Sequence, residues 1–137
     1  MKYPADYYFT KEHEWVHLNG DTAFIGLTEL AKQELQEILS IEIHKMGENL
    51  SADQAFGRIR SCRYLGKLVM PFAGKIIAVN EAYCSDPKLF NSCFDEEHWI
   101  VKVKLIEPVD RSRLLDQNSY KSYKANNYLH LVKYLLN

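Results

Sequence analysis

The stretch HEWVHLNGDTAFIGL, His13 to Leu27, decides the fold class. Its halves, His13 to Leu18 and Asp21 to Leu27, flank Asn19-Gly20, a dipeptide that favours the positive φ angles of a type I′ hairpin turn. The chain therefore opens in antiparallel β structure. Thr28 follows as a helix N-cap, and Glu29 stands in the first turn, where a carboxylate meets the positive end of the helix dipole. Leu30, Ala31, Leu35, Ile38 and Leu39 recur at helical spacing, which predicts a short amphipathic helix through Leu39, packed on the sheet.

Short strands follow outward from this start. Ser40 to His44 alternates Ile41 and Ile43 with polar neighbours, and Gly47 punctuates the next turn. Ala55 to Cys62 alternates as well, placing Phe56, Arg58, Arg60 and Cys62 on one face and Ile59 on the other. Gly66 reads as a turn residue, with Lys67 to Met70 as the return strand, ended by Pro71. Gly74 to Asn80 and His98 to Leu105 read as further strands, and Asp86-Pro87 opens a short helix through Asn91. Many short strands separated by turn signals predict a small mainly β sandwich or barrel. After Pro108 the pattern changes: Arg111 to Asp116 and Tyr120 to Leu136 read as helices. Tyr128, Leu131, Val132, Leu135 and Leu136 form an apolar stripe packed on the barrel. The division is one domain over 1–115 and a helical extension over 116–137, packed on or near it.

Composition excludes several functions. With 137 residues, 47% hydrophobic and 26% charged, the chain is of a size to bury a core without disulfides or metal. A formal net charge of -1 gives no global attraction to nucleic acid or acidic membranes. MKYPADYY has no apolar run typical of a secretory signal, and no segment approaches membrane-spanning length. Cys62, Cys84 and Cys93 show no CxxC spacing, so a reducing cytoplasm is the expected setting. His13, His17, His44, His98 and His130 lack metal-ligand spacing; His13 and His17 would share one side of a continuous strand. No Ser/His/Asp arrangement, P-loop or GxGxxG is present.

The segment Phe9-Thr10-Lys11-Glu12-His13-Glu14-Trp15-Val16 resembles the opening signature of glycine cleavage H proteins. Gly26-Leu27-Thr28, Phe56-Gly57, Pro71, Gly74, Val79-Asn80-Glu81-Ala82, Asp86-Pro87, Leu89, Asn91 and Trp99 match later blocks of that family, over roughly Tyr8 to Leu115. The resemblance implies a barrel-sandwich hybrid of the lipoyl/biotinyl carrier type, with no catalytic machinery of its own. In that family a lysine at a β-hairpin tip carries lipoamide on a flexible arm, and Glu12 and Glu14 fall in a segment near the cavity that shelters the loaded arm. The implied partners are other proteins, those of glycine cleavage and lipoylation among them. Neither membrane nor nucleic acid is expected.

Counted forward from Phe56-Gly57 and backward from Pro71, the family's attachment lysine falls on Arg63. Lipoylation forms an amide and needs a neutral amine as nucleophile. A guanidinium stays protonated and delocalised, so Arg63 should not be modified and no cofactor is expected there. The surrounding hairpin surface is Arg58, Arg60, Ser61, Cys62, Tyr64 and Lys67; from Gln54 to Asn80 there is no acid, against five cations, Arg58, Arg60, Arg63, Lys67 and Lys75. The first reading is therefore a non-lipoylated H-like binding or regulatory paralogue. The second is a working carrier with lipoate on Lys67, the turn re-registered around Gly66. The third is a Cys62 redox or acyl-transfer protein, since neighbouring cations favour a reactive thiolate.

Overall fold

The opening stretch forms a hairpin in the computed structural model, which describes residues 3–62, 64–90, 93–126 and 132–135. After a short β1 (Tyr7–Phe9) come β2 (Glu14–Asn19) and β3 (Thr22–Leu27), closed by the pair Asn19 and Thr22. The loop is Gly20-Asp21. Only Gly20 has positive φ (64°), the pattern of a type II′ turn rather than the expected I′. His13 is not in the strand; it has φ 63° and is buried, so it does not share a strand face with His17.

Helix α1 (Glu29–Leu35) starts as expected, with the Thr28 hydroxyl accepting the Ala31 N–H at 3.2 Å. It ends earlier than Leu39. Gln36 takes a positive φ of 62° and its N–H bonds Lys32 O at 3.0 Å, and the chain enters β4 (Ile38–Ile43). Ile38 continues the helical spacing because strand and helix bury side chains in the same core, whereas Leu39 is 41% exposed.

The remaining strands are β5 (Asn49–Leu50), β6 (Ala55–Ser61), β7 (Tyr64–Val69), β8 (Gly74–Val79) and β9 (Trp99–Leu105). The short helix expected from Asp86 through Asn91 is a 3-10 turn at Pro87–Leu89, and a separate helix α2 (Glu81–Ser85), capped by Asn80, precedes it. Asn91 lies outside the described residues. Only Arg111–Arg113 of the Arg111 to Asp116 segment is helical, as a 3-10 turn. Helix α3 (Gln117–Asn126) is followed by β10 (Val132–Leu135), so the long helix expected to Leu136 is not continuous. Val132 and Leu135 are strand residues; Tyr128, Leu131 and Leu136 lie outside the described residues.

Two antiparallel sheets result, in the orders β1-β2-β3-β9-β8-β5 and β10-β7-β6-β4, a barrel-sandwich hybrid. Alternation sends Val16, Ala23, Ile25, Val101 and Val103 inward to meet Ile41, Phe56, Ile59 and Leu68 of the other sheet. Fully burying each large side chain contributes roughly 1.5–3 kcal/mol. The opposite face of the larger sheet carries a second, aromatic cluster of Tyr7, Phe9, Trp15 and Tyr120. There Gly26 faces Trp15: a Cβ at position 26 would lie 2.4 Å from the indole.

Candidate functional site

The β6–β7 hairpin is built by Ser61 and Tyr64. The Ser61 hydroxyl accepts the Tyr64 N–H at 3.0 Å, and Cys62 N–H bonds Glu37 O at 2.9 Å. Position 63 is thus bracketed at the turn between the two strands, although Arg63 itself lies outside the described residues. Ser61 is fully buried and acts as the turn's brace, which corrects its placement on the hairpin surface. Gly66 is not the turn residue, since it lies in the β6–β7 ladder opposite Ile59. Lys67 is exposed and stands opposite Arg58, three residues past Tyr64 and so roughly 10 Å along the strand at ~3.3 Å per residue.

A register shift between Ala55 and Gly57 separates Phe56 from the outward set. Phe56 is buried with Ile59, while Arg58 and Arg60 point to solvent, so Phe56 does not share their face. Tyr64 is half-buried against the core. Cys62 is exposed with its Sγ 3.9 Å from Gln36 Oε1, Cys84 is half-buried and Cys93 is exposed.

The structure also changes the hairpin's electrostatics. Arg58 donates from Nη2 (2.7 Å) and Nε (3.0 Å) to Glu42 Oε1, and this guanidinium holds the Glu42 carboxyl below the usual carboxylate range. Glu42 lies on β4, the strand that pairs with β6. Lys75 belongs to β8 in the other sheet. The exposed cations left on the hairpin face among the described residues are Arg60 and Lys67, with Arg58 already paired.

The signature segment forms a second feature. Thr10 Oγ1 accepts the N–H groups of Glu12 and Glu14, both at 3.2 Å, and so folds Thr10 to Glu14 into a tight turn. Glu14 is carried into a cleft of about 350 Å³ that also involves Thr10, Glu12, Met70, Pro71 and Arg113. Its Oε1 accepts from the Thr10 hydroxyl at 3.4 Å, and its Oε2 is buried with no hydrogen-bond partner. Burial, and secondarily the charge of Glu12, pushes the Glu14 carboxyl well above the usual range; the Thr10 bond opposes this. Arg113 pairs with Asp53 at the cleft. Sequence reading missed this pair and Glu42, because nothing local signals contacts 60 or 16 residues apart.

Comparison with known proteins agrees with this architecture. The family profile described as glycine cleavage H-protein matches residues 7–127. The chain belongs to the glycine cleavage H-protein family. It is 35% identical over 122 residues to the glycine cleavage system H protein of Bacteroides fragilis, covering 89% of this chain and 97% of that protein. With the H protein of Methylacidiphilum infernorum it shares 38% over 121 residues, covering 88% and 94%. The crystal structure of the H protein from Mycobacterium marinum superposes with a TM-score of 0.75 at 25% identity, over 91% of this chain and 98% of that one. The H-protein match runs past Leu115 into α3. Among the described residues no helix is long and apolar enough to cross a membrane, and no group of three His, Cys, Asp or Glu could hold a metal ion.

Proposed function

We propose that this chain is an H-like binding or regulatory paralogue that carries no lipoyl arm at its hairpin tip, working in the cytoplasm with protein partners of glycine cleavage or lipoylation. The observation that carries this reading is Arg63 in the position bracketed by Ser61 and Tyr64. A guanidinium does not fit an amide-linked lipoyl group, because the attacking nitrogen must be a neutral amine. The family's members are carriers and not enzymes, and nothing in the proposed role asks this chain for catalysis. The partially neutralised hairpin face, with Arg60 and Lys67 exposed beside the Arg58–Glu42 pair, favours recognition of a mixed or acidic protein surface over a phosphate backbone.

Lys67 keeps the carrier reading as the alternative, since it supplies an exposed amine on the same hairpin. Its place inside the ladder, roughly 10 Å back from the tip at ~3.3 Å per residue, weighs against a ligase that reads a turn. Intact mass decides. After co-expression with lipoate ligase and lipoate, the chain is expected to keep its unmodified mass, while Arg63→Lys gains ~188 Da, the increment of one lipoyl amide. A ~188 Da gain in the unsubstituted chain that disappears in Lys67→Arg would overturn the proposal.

A further inference from the structure

The outer face of the six-stranded sheet has an opening away from the position-63 hairpin. Buried Tyr7 and Trp15 form the floor of a cleft of about 270 Å³. Half-buried His17, Phe24 and Trp99 wall it, and exposed Glu96 and Glu97 stand on its rim. The rings hold one another at fixed angles: His17 stacks on Tyr7 with centroids 4.6 Å apart, and Phe24 meets Trp99 edge-on at 5.2 Å. Asp95 accepts the Glu97 N–H at 2.8 Å and caps the 3-10 turn Glu96–His98, which holds the backbone that bears both rim residues. The hairpin that bears position 63 belongs to the other sheet, so a molecule seated here leaves that hairpin free.

The chemistry of the cleft is that of a cation site. Aromatic faces present the negative part of their quadrupole, and an ammonium within about 6 Å of a ring centre is attracted to it. Phe24 already holds the protein's own cation, with Lys102 Nζ 5.4 Å from its centroid, so an incoming ammonium has Trp99 and the rim acids as its partners. The Tyr7 hydroxyl is pushed up to about 12, first by burial and then by the charges of Glu96, Asp6 and Asp95. His17 contributes no unmatched positive charge, because its Nε2 pairs with Asp6 at 2.8 Å. An anion would be repelled, and a purely apolar group would gain nothing from the carboxylates.

We propose that this cleft receives the ammonium-bearing side chain of a lysine on a partner protein. A tethered cation fits better than a free one. The rim acids are solvent-exposed and screened, so a free cation would be held weakly. A lysine on a docking protein has its translational freedom already lost through the rest of the interface.

Both tryptophans of the chain line this cleft, so their indole N–H signals report on it directly. The full chain is titrated with N-acetyl-lysinamide, with N-acetyl-norleucinamide as the uncharged control and tetramethylammonium as the free cation. The Trp15 and Trp99 indole resonances should move saturably with the lysine probe, with a Kd on the order of 1 mM, and not with norleucine. Trp99→Leu should weaken binding about tenfold and the double change Glu96→Gln with Glu97→Gln about threefold. The exposed double variant keeps the test valid should Trp99→Leu fail to fold. Three results would each overturn the proposal: equal shifts from norleucinamide, unchanged affinity in the double variant, or tighter binding of tetramethylammonium than of lysinamide.

Discussion

Tyr120→Phe tests whether α3 is part of the fold or an appendage. The Tyr120 hydroxyl lies 2.8 Å from His13 Nδ1 and donates to Thr28 Oγ1 at 3.0 Å, joining the signature turn, the cap of α1 and the C-terminal helix through one oxygen. The substitution keeps the ring, which stacks on Phe9 with centroids 4.7 Å apart, and removes only that oxygen. The oxygen is lost to two buried groups at once, His13 and Thr28. Removing one partner from a buried polar group destabilises by about 1–3 kcal/mol. With an unfolding entropy of roughly 2.1 cal/mol/K per residue, the chain loses about 0.3 kcal/mol per kelvin near its midpoint, so Tm should fall by about 3–10 °C. Tyr120→Ala also empties the ring's place and should lose about 3–5 kcal/mol. Thermal melts followed by far-UV circular dichroism measure both, and amide exchange should accelerate in the first turn of α1 and in α3. A wild-type Tm with wild-type exchange in α1 would show that α3 rests on the sandwich without supporting it.

Two further perturbations probe the aromatic layer and the signature cleft. Gly26→Ala places a Cβ 2.4 Å from the Trp15 ring, which must shift within a packed cluster; an overpacking loss of about 1–3 kcal/mol in urea denaturation and a changed Trp15 emission are expected, and unchanged values would refute the close approach. Glu14 has a raised pKa in the fold, so its neutral form is the one that suits the folded state. Its contribution is present below the ordinary carboxylate value of ~4.3 and is lost as pH rises above it. The stability of the wild type relative to Glu14→Gln should therefore decline with rising pH, by at most ~1.4 kcal/mol per unit, and a flat difference would refute the assignment.

The sequence made the β start legible because His13 to Leu27 carries both alternation and a turn dipeptide, two local signals that agree. The extent of α1 was not legible, since Ile38 continues the helical spacing while serving β4 in the same core. Period-two alternation puts Phe56 on the outward face, but a register shift that carries no sequence mark turns it inward. The apolar residues at the C-terminal end gave the same ambiguity, with Val132 and Leu135 reading as a helical stripe but pairing as a strand with Gly66 and Tyr64. At the candidate site, position 63 was located by counting along two strands. The charge around it was not, because Glu42 reaches Arg58 only through the β4–β6 pairing. Local patterns report hairpins and caps; cross-strand partners depend on tertiary register, which they do not encode.

Most of the signature residues are explained by folding alone, and that bears on how this family fold tolerates an arginine at position 63. Thr10 closes the turn through two N–H groups, Trp15 covers Gly26, and Thr28 caps α1 while binding Tyr120. None of these contacts involves the hairpin tip, whose closure rests on the Ser61 hydroxyl and a backbone bond to Glu37. The described supports of the hairpin closure are thus Ser61 and the Glu37 carbonyl, not an amine. Glu14 is different. It contributes a buried carboxyl with an oxygen that has no partner, an arrangement that works against stability unless something else answers it. Packing therefore accounts for the Thr10, Trp15 and Thr28 contacts but not for Glu14.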